Sequence, residues 1–133
     1  MTDDDKNSAI NGAIGDLLLV YRKGFDAEAP GWKGLGISCW FGDGVSEIVP
    51  YYYDGVGGKG KQIWEDPCPY SEFEELKSLL PDPESVHAVI LGYVRETDAV
   101  SFSVIRDAEE AAKYQNWIGN PFDIAEAIRP SGV

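Results

Sequence analysis

Of 133 residues, one is histidine, one is methionine and two are cysteine, and bases are few: 11 Lys and Arg stand against 23 Asp and Glu. Each shortage excludes something. With His87 alone there is no His-x-x-x-His pair to seat a zinc ion. Cys39 and Cys68 form neither a Cys-x-x-Cys pair nor a zinc-finger spacing. The formal net charge of −12 repels phosphate, which argues against direct nucleic-acid binding and for a basic partner if a large one exists. Long hydrophobic runs are missing too. The longest, Leu17-Leu18-Leu19-Val20-Tyr21, falls far short of the roughly 20 apolar residues a membrane-spanning helix needs.

What is present suits a folded domain. Hydrophobic residues make up 44% and aromatics 12%, enough for a core and too much for a disordered acidic polymer. The acids fall in both halves of the chain, so no acidic tail or block carries the charge. The length suits one domain. Cys39, in Gly36-Ile37-Ser38-Cys39-Trp40-Phe41, reads as a buried free thiol, and Cys68, between Pro67 and Pro69, as a loop residue. The opening Met1-Thr2-Asp3-Asp4-Asp5-Lys6 reverses the basic-then-apolar order of a secretory signal, so a frayed acidic segment over 1–7 and a cytoplasmic location are expected.

Periodicity sets the elements. Ile10, Ile14, Leu17, Leu18 and Tyr21 predict an amphipathic helix over 8–22, weakened by Gly12 and Gly15 and stopped at Gly24. A strand over 35–41, an Asp43-Gly44 turn and a return strand over 45–53 form a hairpin. Pro50 cannot donate to a ladder, which puts the return strand at an edge or a bulge. A short strand over 61–65 completes a three-stranded meander. Ser71-x-x-Glu74 has the form of a capping box for a helix ending near Pro81. A second hairpin follows, 86–95 and 99–106, turning at Thr97-Asp98, with Val100, Phe102 and Val104 on one face and Ser101 and Ser103 on a wet one. Asp107-x-x-Glu110 caps a helix over 108–117, and a last helix runs from Pro121 towards Pro130. The order predicts a single α+β domain over 8–130, its antiparallel sheet (meander plus hairpin) packed against helices, with 131–133 as a tail.

Catalytic patterns are broken or missing. Gly55 to Lys61 fits the G-x-x-x-x-G-K core of a phosphate loop. Gln62, however, replaces the Ser or Thr that would hold Mg²⁺, and Pro67 and Pro69 arrive too soon for the required helix. There is no Gly-x-Ser-x-Gly elbow and no Asp-x-Asp-x-Asp-Gly calcium loop. His87, at the start of a strand, reads as a surface or core-edge residue. Glu74, Glu75, Glu109 and Glu110 lie near helix starts, where acids favour the dipole. No catalytic residue, metal site or cofactor is assigned.

A surface argument remains. Tyr51, Tyr53, Asp54, Trp64, Glu65 and Asp66 concentrate rings and carboxylates in one segment, together with Tyr52. Such rings combine apolar area with a polar handle, and the acids would orient a basic partner. The competing reading turns alternate tyrosines into the core, as period-two geometry requires.

The element order, with Ile37-Ser38-Cys39-Trp40-Phe41 leading to Val49-Pro50-Tyr51-Tyr52-Tyr53, the helix Ser71-Glu72-Phe73-Glu74-Glu75-Leu76 and the hairpin ending Ser101-Phe102-Ser103-Val104, resembles small bacterial immunity proteins. Their partners are polymorphic or contact-dependent toxins, and the likeness is nearest to the YezG-like group. It covers roughly 8–117 and rests on element order and aromatic placement; Asn120-Pro121-Phe122-Asp123-Ile124 departs from the group. The resemblance implies a non-catalytic antitoxin-type protein that binds one cognate toxin, with no catalytic residues to carry over. A basic nuclease is the expected target, since it must present positive charge to phosphate. A small hydrolase-type enzyme with carboxylates in a cleft, or an oligomeric adaptor domain, are the alternatives. Monomer and homodimer both remain open.

Overall fold

The computed structural model describes residues 2–28, 31–42, 46–54, 69–115, 121–131 and 133. Its elements run α1 (Asp3–Glu28), β1 (Gly34–Phe41), β2 (Ser46–Tyr53), α2 (Tyr70–Leu79), a 3-10 turn (Pro83–Ser85), β3 (Ala88–Val94), β4 (Ala99–Ile105), α3 (Ala108–Ala112) and α4 (Pro121–Ala127). The four strands form one antiparallel sheet in the order β2-β1-β3-β4, an α+β domain as expected. Among the described residues Pro50 lies on an edge strand, β2. The two interior strands are β1 and β3, and their ladder joins the two hairpins. The expected third meander strand, 61–65, and the Asp43-Gly44 turn lie outside the described residues.

α1 is longer than its apolar spacing suggests. It starts at Asp3, because Thr2 and Asp5 cap it reciprocally: the Asp5 N–H donates to Thr2 Oγ1 and the Thr2 N–H to Asp5 Oδ2, both at 3.2 Å. Thr2-x-x-Asp5 is therefore a capping box, and residues 3–7 are helix rather than a frayed segment. Nor does Gly24 stop the helix, which continues to Glu28. Packing explains both. Leu17, Tyr21 and Phe25 are fully buried against the sheet, and each such side chain contributes about 2 kcal/mol, which outweighs the roughly 1 kcal/mol that each helical glycine costs.

On this face Ile14, Leu17, Leu18, Tyr21 and Phe25 meet Phe73 and Leu76 of α2, together with alternate residues of β1 and β3 (Leu35, Ile37, Cys39, Val89, Leu91). The opposite face carries a second, smaller core. Val49, Tyr51, Tyr53 and Val94 pack there with Tyr114, Ile124, Ala125, Ile128 and Val133. Val133 thus belongs to the core rather than to a tail. The wet face expected around the second hairpin survives only at β4, where Ser101 and Ser103 are exposed.

Two expected caps form differently. α2 begins at Tyr70 with Pro69 at its N-cap, two residues before Ser71, and Glu74 instead accepts from Ser46 Oγ at 2.8 Å. Asp107 does cap α3, accepting from the Glu109 N–H at 3.1 Å, while Glu110 pairs with Lys113. That helix spans only Ala108–Ala112. The turn between β3 and β4 follows expectation, with Asp98 at φ 58°, a conformation Asp tolerates.

Glycine substitutions report the packing with opposite signs. Gly12 and Gly15 face open space, so Gly12→Ala and Gly15→Ala should each stabilise by about 1 kcal/mol. A Cβ at Gly36 would overlap the Ile128 carbonyl, so Gly36→Ala should destabilise by about 2 kcal/mol or more. Chemical denaturation of the three variants measures both.

Candidate functional site

The structure divides the six expected contact residues. Tyr51 and Tyr53 are buried in the second core. The Tyr53 hydroxyl donates to the Ala125 carbonyl, and the Arg129 guanidinium lies 4.6 Å over its ring. Burial pushes both phenols above their ordinary range. These two rings are therefore not a contact surface, because α4 and the residues after it cover this side of β2. Tyr52, on the other face, is half-buried with its ring 5.4 Å from Phe25. Asp54 is exposed just beyond β2. Trp64, Glu65 and Asp66 lie outside the described residues, as do the glycine-rich segment 55–61 and Cys68.

Cys39 is a free, fully buried thiol, as expected. Burial, reinforced by the charge of Glu74 and opposed by that of Lys77, raises its pKa far above the usual thiol range, which removes it as a nucleophile. His87 is half-buried immediately before the interior strand β3, its backbone joining β1 to β4 through hydrogen bonds to Phe41 and Ile105. Glu84 stands three residues before it, on the 3-10 turn. No group of three or more His, Cys, Asp or Glu side chains among the described residues is placed to hold a metal ion.

The acids point outward. Among the described residues with assigned burial, every Asp and Glu is exposed except Glu47, which is half-buried. Among the described residues, the two carboxylates that depart from the ordinary range both move down: Asp5 through its hydrogen bonds with Thr2, and Glu126 through its hydrogen bond with Arg129. A general acid needs the opposite shift.

One concave region gathers such groups. A groove of about 760 Å³ opens between the first turns of α1 and the chain leaving α2. Asp3 and Asp82 bring carboxylates to it, Lys6 an amine, and Ile10, Leu79 and Leu80 apolar lining. Asp82 sits at φ 46°, its carbonyl accepting from Ser85 and from Arg106 Nη1 at 3.0 Å, which fixes the turn at one end of the groove. This open, carboxylate-flanked trough suits a basic side chain of a partner. The signal for it lay in Thr2-x-x-Asp5, which extends the helix far enough to bring Asp3 and Lys6 opposite Asp82.

An aromatic cluster went unseen in the sequence as well. Trp32 lies between Phe25 (6.1 Å) and Tyr93 (6.0 Å), its indole N–H donating to Asp26 Oδ1 at 2.7 Å. Arg95 stacks over it at 4.9 Å and Arg22 over Tyr93 at 4.6 Å.

No family model matches this chain, and no curated protein matches it in sequence. No helix among the described residues is long and apolar enough to cross a membrane.

Tyr53→Phe should lower stability by about 1 kcal/mol, through the hydrogen bond lost to Ala125, while leaving partner affinity unchanged. Thermal melts and a binding assay separate the two effects. In a Cys68→Ser variant, Cys39 should resist thiol reagents until denaturant unfolds the chain. For Glu126 the sign is that of a depressed carboxylate: its pairing with Arg129 supports the fold above the ordinary Glu range and is lost as pH falls through the lowered value. Acid titration of Glu126→Gln should therefore show a shallower loss of stability below about pH 4 than the parent chain.

Proposed function

We propose that this chain is a non-catalytic inhibitor of the immunity type, which binds a cognate bacterial toxin domain and blocks it by occupying its basic, substrate-attracting face. The observation that carries the reading is the outward display of the acids on a chain of net charge −12. Such a surface raises the encounter rate with a basic partner and competes with phosphate for the same field. A nuclease domain is the target class with the chemistry to match.

The structure alters which surface the proposal uses. With Tyr51 and Tyr53 in the core, the proposed contact keeps Asp54, Trp64, Glu65 and Asp66 from the sequence and adds the groove lined by Asp3 and Asp82. The buried Cys39 thiol and the downward shifts of Asp5 and Glu126 favour binding over chemistry.

The experiment is to search the neighbouring reading frames for a toxin-like domain and co-express any such domain with this chain, read as growth rescue. With purified components, the association rate should fall about tenfold or more between low and physiological salt. The double variant Glu65→Lys/Asp66→Lys should weaken rescue, and so should Asp3→Lys/Asp82→Lys. A salt-independent association rate, together with full rescue by both double variants, would sink electrostatic capture.

A further inference from the structure

The two edges of the sheet are not alike. β2 carries Glu47 and Pro50, a charge and a missing donor of the kind that discourages further strand pairing. β4 carries neither: Ala99-Val100-Ser101-Phe102-Ser103-Val104-Ile105 has no proline, glycine or charged residue. Among the described residues it pairs only with β3, so every second residue turns its N–H and C=O away from the sheet. Val100 on this strand is 53% exposed, the most of the large hydrophobics among the described residues.

The strand is also its own complement. Around Phe102 the sequence reads the same in both directions, Val100-Ser101-Phe102-Ser103-Val104. We propose that β4 is a self-association edge, on which a second copy of this chain pairs antiparallel about a two-fold axis at Phe102 and doubles the four-stranded sheet.

Register supports a second copy over any other occupant. Centred on Phe102, the pairing sets each Val100 opposite Val104 of the other copy and each Ser101 opposite Ser103. Opposed residues then share a face: Phe102 and Val104 lie on the side of α1 and the main core, while the serines lie on the wet side. A slip of one residue would set valine against serine and bring the core side of one copy onto the wet side of the other. Just beyond the strand ends, Asp98 falls opposite Arg106, so unlike charges meet at both rims. Arg106 is held there by hydrogen bonds to the Pro81 carbonyl at 2.7 Å and the Asp82 carbonyl at 3.0 Å. The remaining surface opposes association at long range, because both copies are acidic. Self-association therefore strengthens as salt rises, the reverse of what capture of a basic toxin requires.

Sedimentation equilibrium of the full chain over a concentration series tests this. The average mass should climb from 14.6 kDa towards twice that value, at lower concentration in higher salt. Val100→Lys, at an exposed position, should weaken the association constant tenfold or more. Phe102→Lys and Phe102→Glu should each be monomeric alone, with like charges opposed at the axis, and should form a mixed dimer when combined. Circular dichroism checks that the Phe102 variants fold; if they do not, Val100→Lys decides. A chain monomeric at every attainable concentration overturns the proposal, and so does a dimer whose dissociation constant Val100→Lys leaves unchanged. A monomeric chain whose β4 accepts a strand from a different protein overturns it as well. None of these readings depends on growth rescue, so this proposal and the inhibitor reading fail separately.

Discussion

The seating of Trp32 between α1 and the sheet is the constraint on which the rest of the structure depends. Phe25, Trp32 and Tyr93 meet ring against ring, so the end of the helix, the approach to β1 and the end of β3 are fixed at one point. Asp26 receives the indole N–H and lies 3.5 Å from the Arg95 guanidinium, which ties the last turns of α1 to the chain just after β3. That pair is half-exposed and adds little by itself; the apolar contact beneath it does most of the holding. A helix with glycines at 12 and 15 cannot rely on its own propensity and needs such an anchor.

From that anchor the two faces acquire different roles. On one, α1 and α2 cover the main core and carry Asp3, Asp4, Asp5, Glu72 and Glu75 on their solvent side. On the other, α4 and the residues after it form a smaller lid over Tyr51 and Tyr53. Acidity and aromaticity are thereby separated: the rings hold the molecule together, and the carboxylates face whatever approaches it.

Local patterns were legible in the sequence where the physics is local. Pro50 marked an edge strand because a missing N–H is an intrinsic property, and Asp98 marked a turn because it tolerates positive φ. Cys39 was identified from its apolar neighbours. What the sequence could not display was pairing across distance. The β1–β3 ladder joins residues 48 to 60 positions apart, such as Gly34 with Val94 and Trp40 with Ala88, and no local signal distinguishes it from a continued meander. The tyrosines followed from the same blindness: Tyr51 and Tyr53 looked free because the segment that buries them lies seventy positions later, at Ala125. Capping patterns carry information only where a helix begins: Ser71 lies inside α2, whose N-cap is Pro69, whereas Thr2 caps α1.

The interior position of β1 has a kinetic meaning. Both hairpins, β1–β2 and β3–β4, close over short connections and can form on the timescale of single hairpins, microseconds in isolation. Joining them demands that β1 find β3 across the whole length of β2 and α2, an encounter that loop entropy slows and that no hairpin contact rewards in advance. The main core is incomplete until that ladder zips, because α1 packs on side chains from both strands at once. The topology thus predicts two rapid halves, with the meeting of β1 and β3 setting the pace of folding.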